Sequence, residues 1–310
     1  MNLIERAAER LEELQRAGVE NARDEGKTTP AARRREPEAG NVGALRELSA
    51  EKPAAPSSRP QAARAPRRVE LDLARLAAFS VMTPDAPRSS LADEFRVIKR
   101  PLLQNAAIQS AGPNKNANLI IVTSALPGEG KSFTAANLAM SIAMELERTV
   151  LLVDADVARP TLPRMLGLPE GEGLLDVLVN DSLDVGEVLI KTSIETLSIL
   201  PSGTPHPHAT ELLASDAMHQ LLQEMARRYS DRLIIFDSPP LLVTTEARVL
   251  ASHMGQVVMV VQAGRTAQSD VVQALATIES APIKLMVLNK GRSSGHGYGY
   301  GYGYGYGART

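Results

Sequence analysis

The sequence of 310 residues has no cysteine, few aromatic residues and almost no excess charge. Without cysteine the chain forms neither a disulfide framework nor a thiolate metal site, which is typical of a reducing compartment. The net charge of −2 favours neither nucleic acid nor a membrane surface as a partner. No apolar run approaches the ~18 residues that a membrane-spanning helix requires. We therefore expect a cytoplasmic protein that other molecules hold at a membrane, if it is held there at all.

The first part of the chain does not have the composition of a folded domain. Residues 1–18 predict an amphipathic helix capped by Asn2, with apolar residues at heptad-like spacing. Two interpretations of this helix stay open, since it either packs on its own domain or docks on a partner. Residues 19–68 are rich in Pro, Ala, Arg and Glu without periodicity, which predicts a disordered linker. The five basic residues within 52–68 suggest an affinity for anionic lipid, but four prolines interrupt them and favour a solvated linker.

A buried strand, a glycine-containing loop and a helix are predicted in succession between residues 118 and 146. The branched apolar residues 119–122 predict the strand, and ALPGEGKS follows it directly. Gly128 and Gly130 let backbone N–H groups approach phosphate oxygens, while Lys131 and Ser132 are suited to bind phosphate and Mg²⁺. Ala125 replaces the first glycine of the general pattern, which requires a negative φ there. We predict a nucleotide site formed by Leu126, Pro127, Gly128, Glu129, Gly130, Lys131, Ser132 and Phe133.

Three carboxylates follow predicted strands. Asp154 and Asp156 follow the apolar run 149–153, and Asp237 follows the run 233–236. A single carboxylate in such a position is often only a turn residue. Parallel strands, however, bring their carboxyl ends to one edge of the sheet, where ligands bind. We therefore interpret the three carboxylates as Mg²⁺ ligands and a proton acceptor beside the phosphate loop.

Further strands and helices complete the predicted domain, which we place at residues 69–291. Apolar runs at 256–261 and 283–288 are separated by a helical pattern at 268–280. Strands that alternate with helices predict an α/β fold, here a P-loop NTPase-like parallel sheet with helices on both faces. A partly disordered N-terminal extension precedes it.

Two features lie outside the nucleotide site. Residues 91–109 predict a helix capped by Ser89 or Ser90, and its charged residues at i, i+3 and i+6 suggest one exposed face: Asp93, Arg96 and Lys99. Residues 292–310 predict a flexible tail in which tyrosine alternates with glycine: Tyr298, Tyr300, Tyr302, Tyr304 and Tyr306. The tail has no interleaved Arg or Lys, which disfavours nucleic-acid stacking. A sticky low-complexity tail is one interpretation, and a series of acceptor phenols for a kinase is the other.

Together these motifs resemble the bacterial tyrosine kinases of polysaccharide export, and more narrowly the autokinases associated with exosortase exopolysaccharide loci. ALPGEGKS corresponds to the Walker A motif of that family, LLVDADVARP to Walker A′ and LIIFDSPP to Walker B. Asp93, Arg96 and Lys99 match its E-x-x-R-x-x-R helix, with two conservative replacements. The arginine that usually follows the first Walker A′ aspartate by four residues is displaced by one, because Ala158 occupies that position and Arg159 comes next.

The resemblance implies an ATP- and Mg²⁺-dependent protein-tyrosine autokinase that phosphorylates its own tail. It assigns catalytic roles to Lys131, Asp154 and Asp156, with Asp154 as the preferred base and an exchange of roles with Asp156 left open. It assigns Mg²⁺ to Ser132, Asp156 and Asp237, and adenine contact to Asn289. It also implies a ring-like homo-oligomer built through the charged helix, recruitment to the inner membrane by a chain-length-regulating co-polymerase, and a phosphotyrosine phosphatase as a further partner.

Two other functions remain open at this point. An ATPase switch of the MinD or ParA type has the same predicted fold, but that group carries a lysine at the position of Leu126. A nucleotide-gated scaffold of the export machinery would need no phosphoryl transfer at all. The tyrosine tail favours the kinase over both.

Overall fold

The computed structural model describes residues 67–85, 89–109 and 116–291. The predicted N-terminal helix, nearly all of the predicted linker and the five tail tyrosines lie outside these residues. The described strands form one sheet: β1 (Arg67–Val69), β2 (Leu119–Ser124), β3 (Thr149–Asp154), β4 (Ile190–Thr192), β5 (Leu197–Leu200), β6 (Arg232–Asp237), β7 (Gln256–Gln262) and β8 (Ile283–Asn289). β1 begins at Arg67, two residues before the predicted boundary of the domain.

The sheet is almost entirely parallel, in the order β1-β4-β5-β3-β6-β2-β7-β8. The β4–β5 pair is the one antiparallel pair among the described strands. β2 lies between β6 and β7, and β3 pairs with β6 on its other side. The nucleotide loop and the strand-end carboxylates therefore lie at the carboxyl ends of three adjacent strands, β3, β6 and β2.

Helices cover both faces of this sheet, as the sequence predicts. The described helices are α1 (Leu73–Ala78), α2 (Ser90–Gln109), α3 (Lys131–Ala143), α4 (Leu162–Leu166), α5 (Leu174–Val179), α6 (Val185–Val188), α7 (Ala209–Leu213), α8 (Asp216–Arg228), α9 (Thr245–Ser252) and α10 (Gln268–Ala276). Buried side chains of α1–α4 share one apolar cluster, and those of α5–α10 share another.

The central strands contribute alternate residues to the two clusters. Along β2, Leu119 and Ile121 face one layer of helices, whereas Ile120 and Val122 face the other. All four side chains are fully buried. This explains why the strand appears in the sequence as an uninterrupted apolar run and not as an alternating one.

The predicted elements of this domain are present with small changes at their ends. The helix predicted at 91–109 begins at Ser90, and the Ser89 hydroxyl caps it by accepting the Ala92 amide at 3.1 Å. Each of the five predicted strands extends by one or two residues. None of the described helices combines the length and the apolar character needed to span a membrane.

Candidate active site

The glycine loop connects β2 to α3 and has the backbone that a phosphate site requires. Gly128 and Gly130 have φ values of 82° and 101°, a region that side chains with a Cβ rarely adopt. Gly130 directly precedes α3, so the first amides of this 13-residue helix point into the loop. The helix dipole and the free amides together favour an anion at this position.

Asn289 lies against the loop, as expected for a residue of the nucleotide site. It ends β8, and its Nδ2 donates to the Glu129 carbonyl at 2.9 Å. A Cβ on Gly130 would collide with this amide, so the close approach requires glycine. The next residue, Lys290, donates its Nζ to the Gly128 carbonyl at 2.7 Å. The C-terminal end of β8 is thus hydrogen-bonded to the phosphate loop.

Asp154 and Asp237 lie side by side at the ends of adjacent strands. They are direct partners in the register of β3 and β6, and both are fully buried. Among the residues that the structure describes, none donates a well-aligned hydrogen bond to their four carboxylate oxygens. Asp156 lies two residues beyond β3 and accepts from Lys131 Nζ at 2.5 Å, in an ion pair whose side chains are about one-tenth exposed.

The burial of these carboxylates changes their proton affinity. Burial raises the pKa of Asp154 well above its usual value, and the neighbouring Asp237 and Asp156 raise it further. Burial likewise raises the pKa of Asp237 to about 7, although Lys131 and Ser132 oppose the shift. Ser132 faces Asp237 without forming a well-aligned hydrogen bond, because both carboxylate oxygens remain unpartnered. A buried carboxylate pair without partners is typical of a functional site.

The same carboxylates fit a hydrated Mg²⁺ ion. Within the described ranges, no three acidic or imidazole side chains converge closely enough to hold a metal by themselves. Mg²⁺ usually keeps several waters and binds one or two carboxylates together with substrate phosphates. The unpartnered oxygens of Asp237, with Ser132 and Asp156 nearby, match that requirement.

The charged residues of α2 do not share one face. Asp93 and Arg96 form an exposed ion pair at 2.5 Å, with side chains 70% and 51% exposed. Lys99 is buried, and it donates to the Ser141 carbonyl at 2.7 Å and pairs with Glu145 at 2.5 Å. The prediction of one exposed face was therefore wrong for Lys99. Lys99 lies six residues after Asp93, and from this position on the helix its side chain points towards α3.

Sequence reasoning missed the partner of Glu129. This loop residue was expected at the nucleotide, but its carboxylate is directed to Thr266, in the connection between β7 and α10. A charged residue inside a loop for anionic phosphates was a visible anomaly in the sequence. Nothing in the sequence pointed to Thr266, because a threonine 137 positions away has no periodic relation to the loop.

Comparisons with known proteins identify the family to which the chain belongs. The family described as "ParA: NUBPL iron-transfer P-loop NTPase" matches residues 115–290. The tyrosine-protein kinase YwqD of Bacillus subtilis is 32% identical over 219 residues, which cover 70% of this chain and 88% of YwqD. The chain belongs to the bacterial tyrosine-protein kinases. Its nucleotide-binding domain has the ParA-type P-loop NTPase fold.

Solved structures support the assignment of the chain to the bacterial tyrosine kinases. The kinase domain of the Escherichia coli tyrosine kinase ETK is 29% identical with a TM-score of 0.54, covering 65% of this chain and 78% of that domain. The chimerical protein CapA2B2 is 28% identical with a TM-score of 0.56, covering 70% and 92% of the two chains. The family resemblance and the α/β fold predicted from the sequence are thus confirmed.

Proposed function

We propose that this kinase transfers the γ-phosphoryl group of ATP to tyrosines of its own C-terminal segment, and that this transfer regulates exopolysaccharide synthesis and export. The observation that carries the proposal is the pair of unpartnered buried carboxylates beside the phosphate loop. The acceptors would be Tyr298, Tyr300, Tyr302, Tyr304 and Tyr306.

The Lys131–Asp156 ion pair suggests how ATP binding prepares the site. Phosphate oxygens compete with Asp156 for the Lys131 ammonium, since the lysine lies next to the loop amides. When Lys131 turns to the phosphates, Asp156 loses its counter-charge. It then joins Ser132 and Asp237 as a side chain able to hold Mg²⁺. Bound Mg²⁺ supplies charge neutralisation at the β- and γ-phosphates.

Asp154 is the residue that we assign as proton acceptor. A carboxylate with a raised pKa is a stronger base, which suits it to a phenol whose pKa is near ~10. The phenol oxygen forms a bond to the γ-phosphorus while the bond to the bridging oxygen breaks. ADP leaves with that electron pair, and Asp154 receives the phenol proton. Lys131 and the loop amides hold the phosphates in line throughout.

Mass spectrometry on the purified full chain tests this proposal. We expect Mg-ATP to add phosphate to the tail tyrosines and none to Tyr229, which is 8% exposed and packed against Arg228 and Arg232. Lys131→Met should abolish the labelling without loss of the fold. ATP hydrolysis without phosphotyrosine would instead support an ATPase switch, and nucleotide binding without either reaction would support a scaffold.

We further propose that phosphate passes between subunits of a homo-oligomer. The test mixes Lys131→Met protein bearing an intact tail with active protein truncated after residue 292. Phosphate on the inactive chain would support transfer between subunits, whereas labelling confined to intact active chains would contradict it. Assembly should involve the exposed Asp93–Arg96 face of α2 and not Lys99, so Asp93→Ala with Arg96→Ala should lower the sedimenting mass.

The proposed partners follow from the same role. A co-polymerase of the chain-length-regulator type would recruit the kinase to the inner membrane, with residues 1–18 as the contact. A phosphotyrosine phosphatase would reset the tail. Deletion of residues 1–20 should then release the kinase from membrane fractions, and unchanged recruitment would contradict that contact.

A further inference from the structure

Glu129 is a buried charge in a loop that binds anions. It is only 2% exposed, although it stands between the two glycines of the phosphate loop. A carboxylate directed at the nucleotide would repel its phosphates. Burial without donors would also cost free energy. Its orientation and its partners therefore decide what it does.

All the donors around this carboxylate come from protein groups. Its Oε2 accepts the Leu126 amide of the same loop at 2.7 Å. Its Oε1 accepts the Thr266 hydroxyl and, at 3.4 Å, the Gln262 amide. The Thr266 hydroxyl in turn accepts the Gln262 amide at 3.1 Å. Hydrogen bonds of the side chain thus link the start of the loop to the connection between β7 and α10.

The main chain adds a second set of bonds at the same place. Asn289 binds the Glu129 carbonyl, and the Asn289 carbonyl accepts the Ala263 amide at 2.9 Å. The loop after β7, the end of β8 and the phosphate loop therefore form one hydrogen-bonded unit. Glu129 takes part in it through both its side chain and its main chain.

We propose that Glu129 is a positioning residue, which holds the phosphate loop in its binding conformation through Thr266. This inference rests on the nucleotide site proposed above. A loop that is already ordered before ATP arrives does not lose conformational freedom on binding. Nucleotide affinity should therefore depend on a threonine hydroxyl that does not contact the nucleotide.

Matched substitutions at Thr266 test the hydroxyl alone. Thr266→Val keeps the side-chain shape and removes the hydroxyl, whereas Thr266→Ser keeps the hydroxyl. We expect Thr266→Val to raise the Kd for a fluorescent ADP analogue about tenfold, the size expected for one hydrogen bond to a charged group. Thr266→Ser should bind like the parent. Parent-like binding by Thr266→Val, or equally weak binding by Thr266→Ser, would overturn the proposal.

Glu129→Gln provides a second test, because a charge effect and a positioning effect change the nucleotide affinity in opposite directions. If the carboxylate acted only through its charge, its removal would tighten nucleotide binding. Positioning predicts weaker binding, since the amide group of glutamine places a donor opposite the Leu126 amide or the Thr266 hydroxyl. The double variant with Thr266→Val should be little weaker than Glu129→Gln, because both changes break the same bond. Tighter binding, or fully additive losses, would contradict the proposal.

The kinetic pattern separates positioning from general damage. We expect the KM for ATP to rise more than kcat falls at a temperature where the nucleotide-free variant is fully folded, because the loss of a donor to the buried carboxylate also lowers the melting temperature. Lys131→Met serves as the reference in the same titration. If it loses nucleotide binding while Thr266→Val does not, only the positioning role fails. If Lys131→Met binds and phosphorylates normally, the proposed nucleotide site fails first.

Discussion

Buried carboxylates occur in two environments at the carboxyl ends of the central strands. Glu129 accepts from three donors, whereas no well-aligned donor among the described residues reaches the carboxylate oxygens of Asp154 and Asp237. The loop and the strand ends are adjacent parts of one site, so access to water does not explain the difference. The residues that would meet Mg²⁺ and the acceptor phenol are the ones left without protein partners.

This contrast shows which buried charges lower the stability of the fold. An unpartnered buried carboxylate is destabilising, because the lost hydration is not replaced. A buried charge with hydrogen-bond partners destabilises the fold much less. Its replacement by an uncharged residue costs more free energy of unfolding, because the partners are left unsatisfied. Destabilised groups concentrate at functional sites, since a ligand supplies the missing interactions. Substitutions of charges in the two environments should therefore have opposite effects on stability.

Lys99 provides the largest expected effect, as a buried charge with partners. Lys99→Met keeps the side-chain length but leaves the buried Ser141 carbonyl without its donor. We expect a loss of about 2–3 kcal/mol in the free energy of unfolding, less than for a fully buried pair because Glu145 is 45% exposed. Arg96→Met on the same helix is the control, and should cost under ~1 kcal/mol because its ion pair is exposed. Equal losses in denaturant titrations would refute the contrast.

Asp237 represents the opposite case, a buried charge without partners. Asp237→Asn should stabilise the metal-free and nucleotide-free protein by about 1–2 kcal/mol at pH 8, because the charged form is disfavoured by burial. The same change should abolish phosphotyrosine formation, since it removes a proposed Mg²⁺ ligand. Thermal melts in chelator measure the first effect and mass spectrometry the second.

The pH dependence of the Asp237 effect has a definite sign. Because the pKa of the folded state is raised to about 7, the folded protein holds a proton that the unfolded chain has already lost above pH ~4. The stability of the parent should therefore fall as pH rises through this range, and that of Asp237→Asn should fall less, because only the contribution of buried Asp154 remains. The difference between the two proteins should vanish near pH 4. A constant difference from pH 4 to pH 8 would contradict the titration.

Much of the fold followed from sequence because its central strands are buried on both faces. Continuous apolar runs identified β2, β3, β6 and β7 to within two residues. An apolar run interrupted by Lys284 identified the edge strand β8, whose residues alternate between half-buried and exposed. The short strands β1, β4 and β5 were missed, since three or four residues carry too little pattern. Their pairing, including the antiparallel β4–β5 ladder, is decided by tertiary contacts.

The candidate site was predictable where chemistry is tied to local sequence. A glycine loop with Lys-Ser and carboxylates at strand ends places Lys131, Asp154 and Asp237 at one edge from topology alone. Side-chain direction was not predictable. Lys99 turns inwards and Glu129 turns towards the connection between β7 and α10, because each finds donors or acceptors on elements distant in sequence.

Asp184 provides the smallest effect, as a charge that is both exposed and partnered. Its Oδ2 accepts from Arg228 at 2.5 Å, and its Oδ1 caps α6 by accepting the Gly186 amide at 2.7 Å. The hydrogen bond from Arg228 lowers the pKa of Asp184, so the pair stabilises the fold above pH ~4 and is lost below it. Asp184→Asn retains a capping oxygen and removes the charge. We expect a loss of about 0.5 kcal/mol at pH 7, because both side chains are more than two-fifths exposed.

The salt and pH dependence of this small loss separates the ion pair from the cap. It should shrink in 0.5 M salt, and it should disappear as pH falls through the lowered pKa of Asp184, where the parent carboxylate also becomes neutral. Glu224→Gln is the matched control, since Glu224 lies 3.6 Å from the same guanidinium and should cost less. A loss that persists unchanged below the pKa of Asp184 would mean that capping of α6 accounts for the effect. Exposed charges with partners would then differ little from exposed charges without them, and hydrogen-bond partners would matter only for charges that are buried.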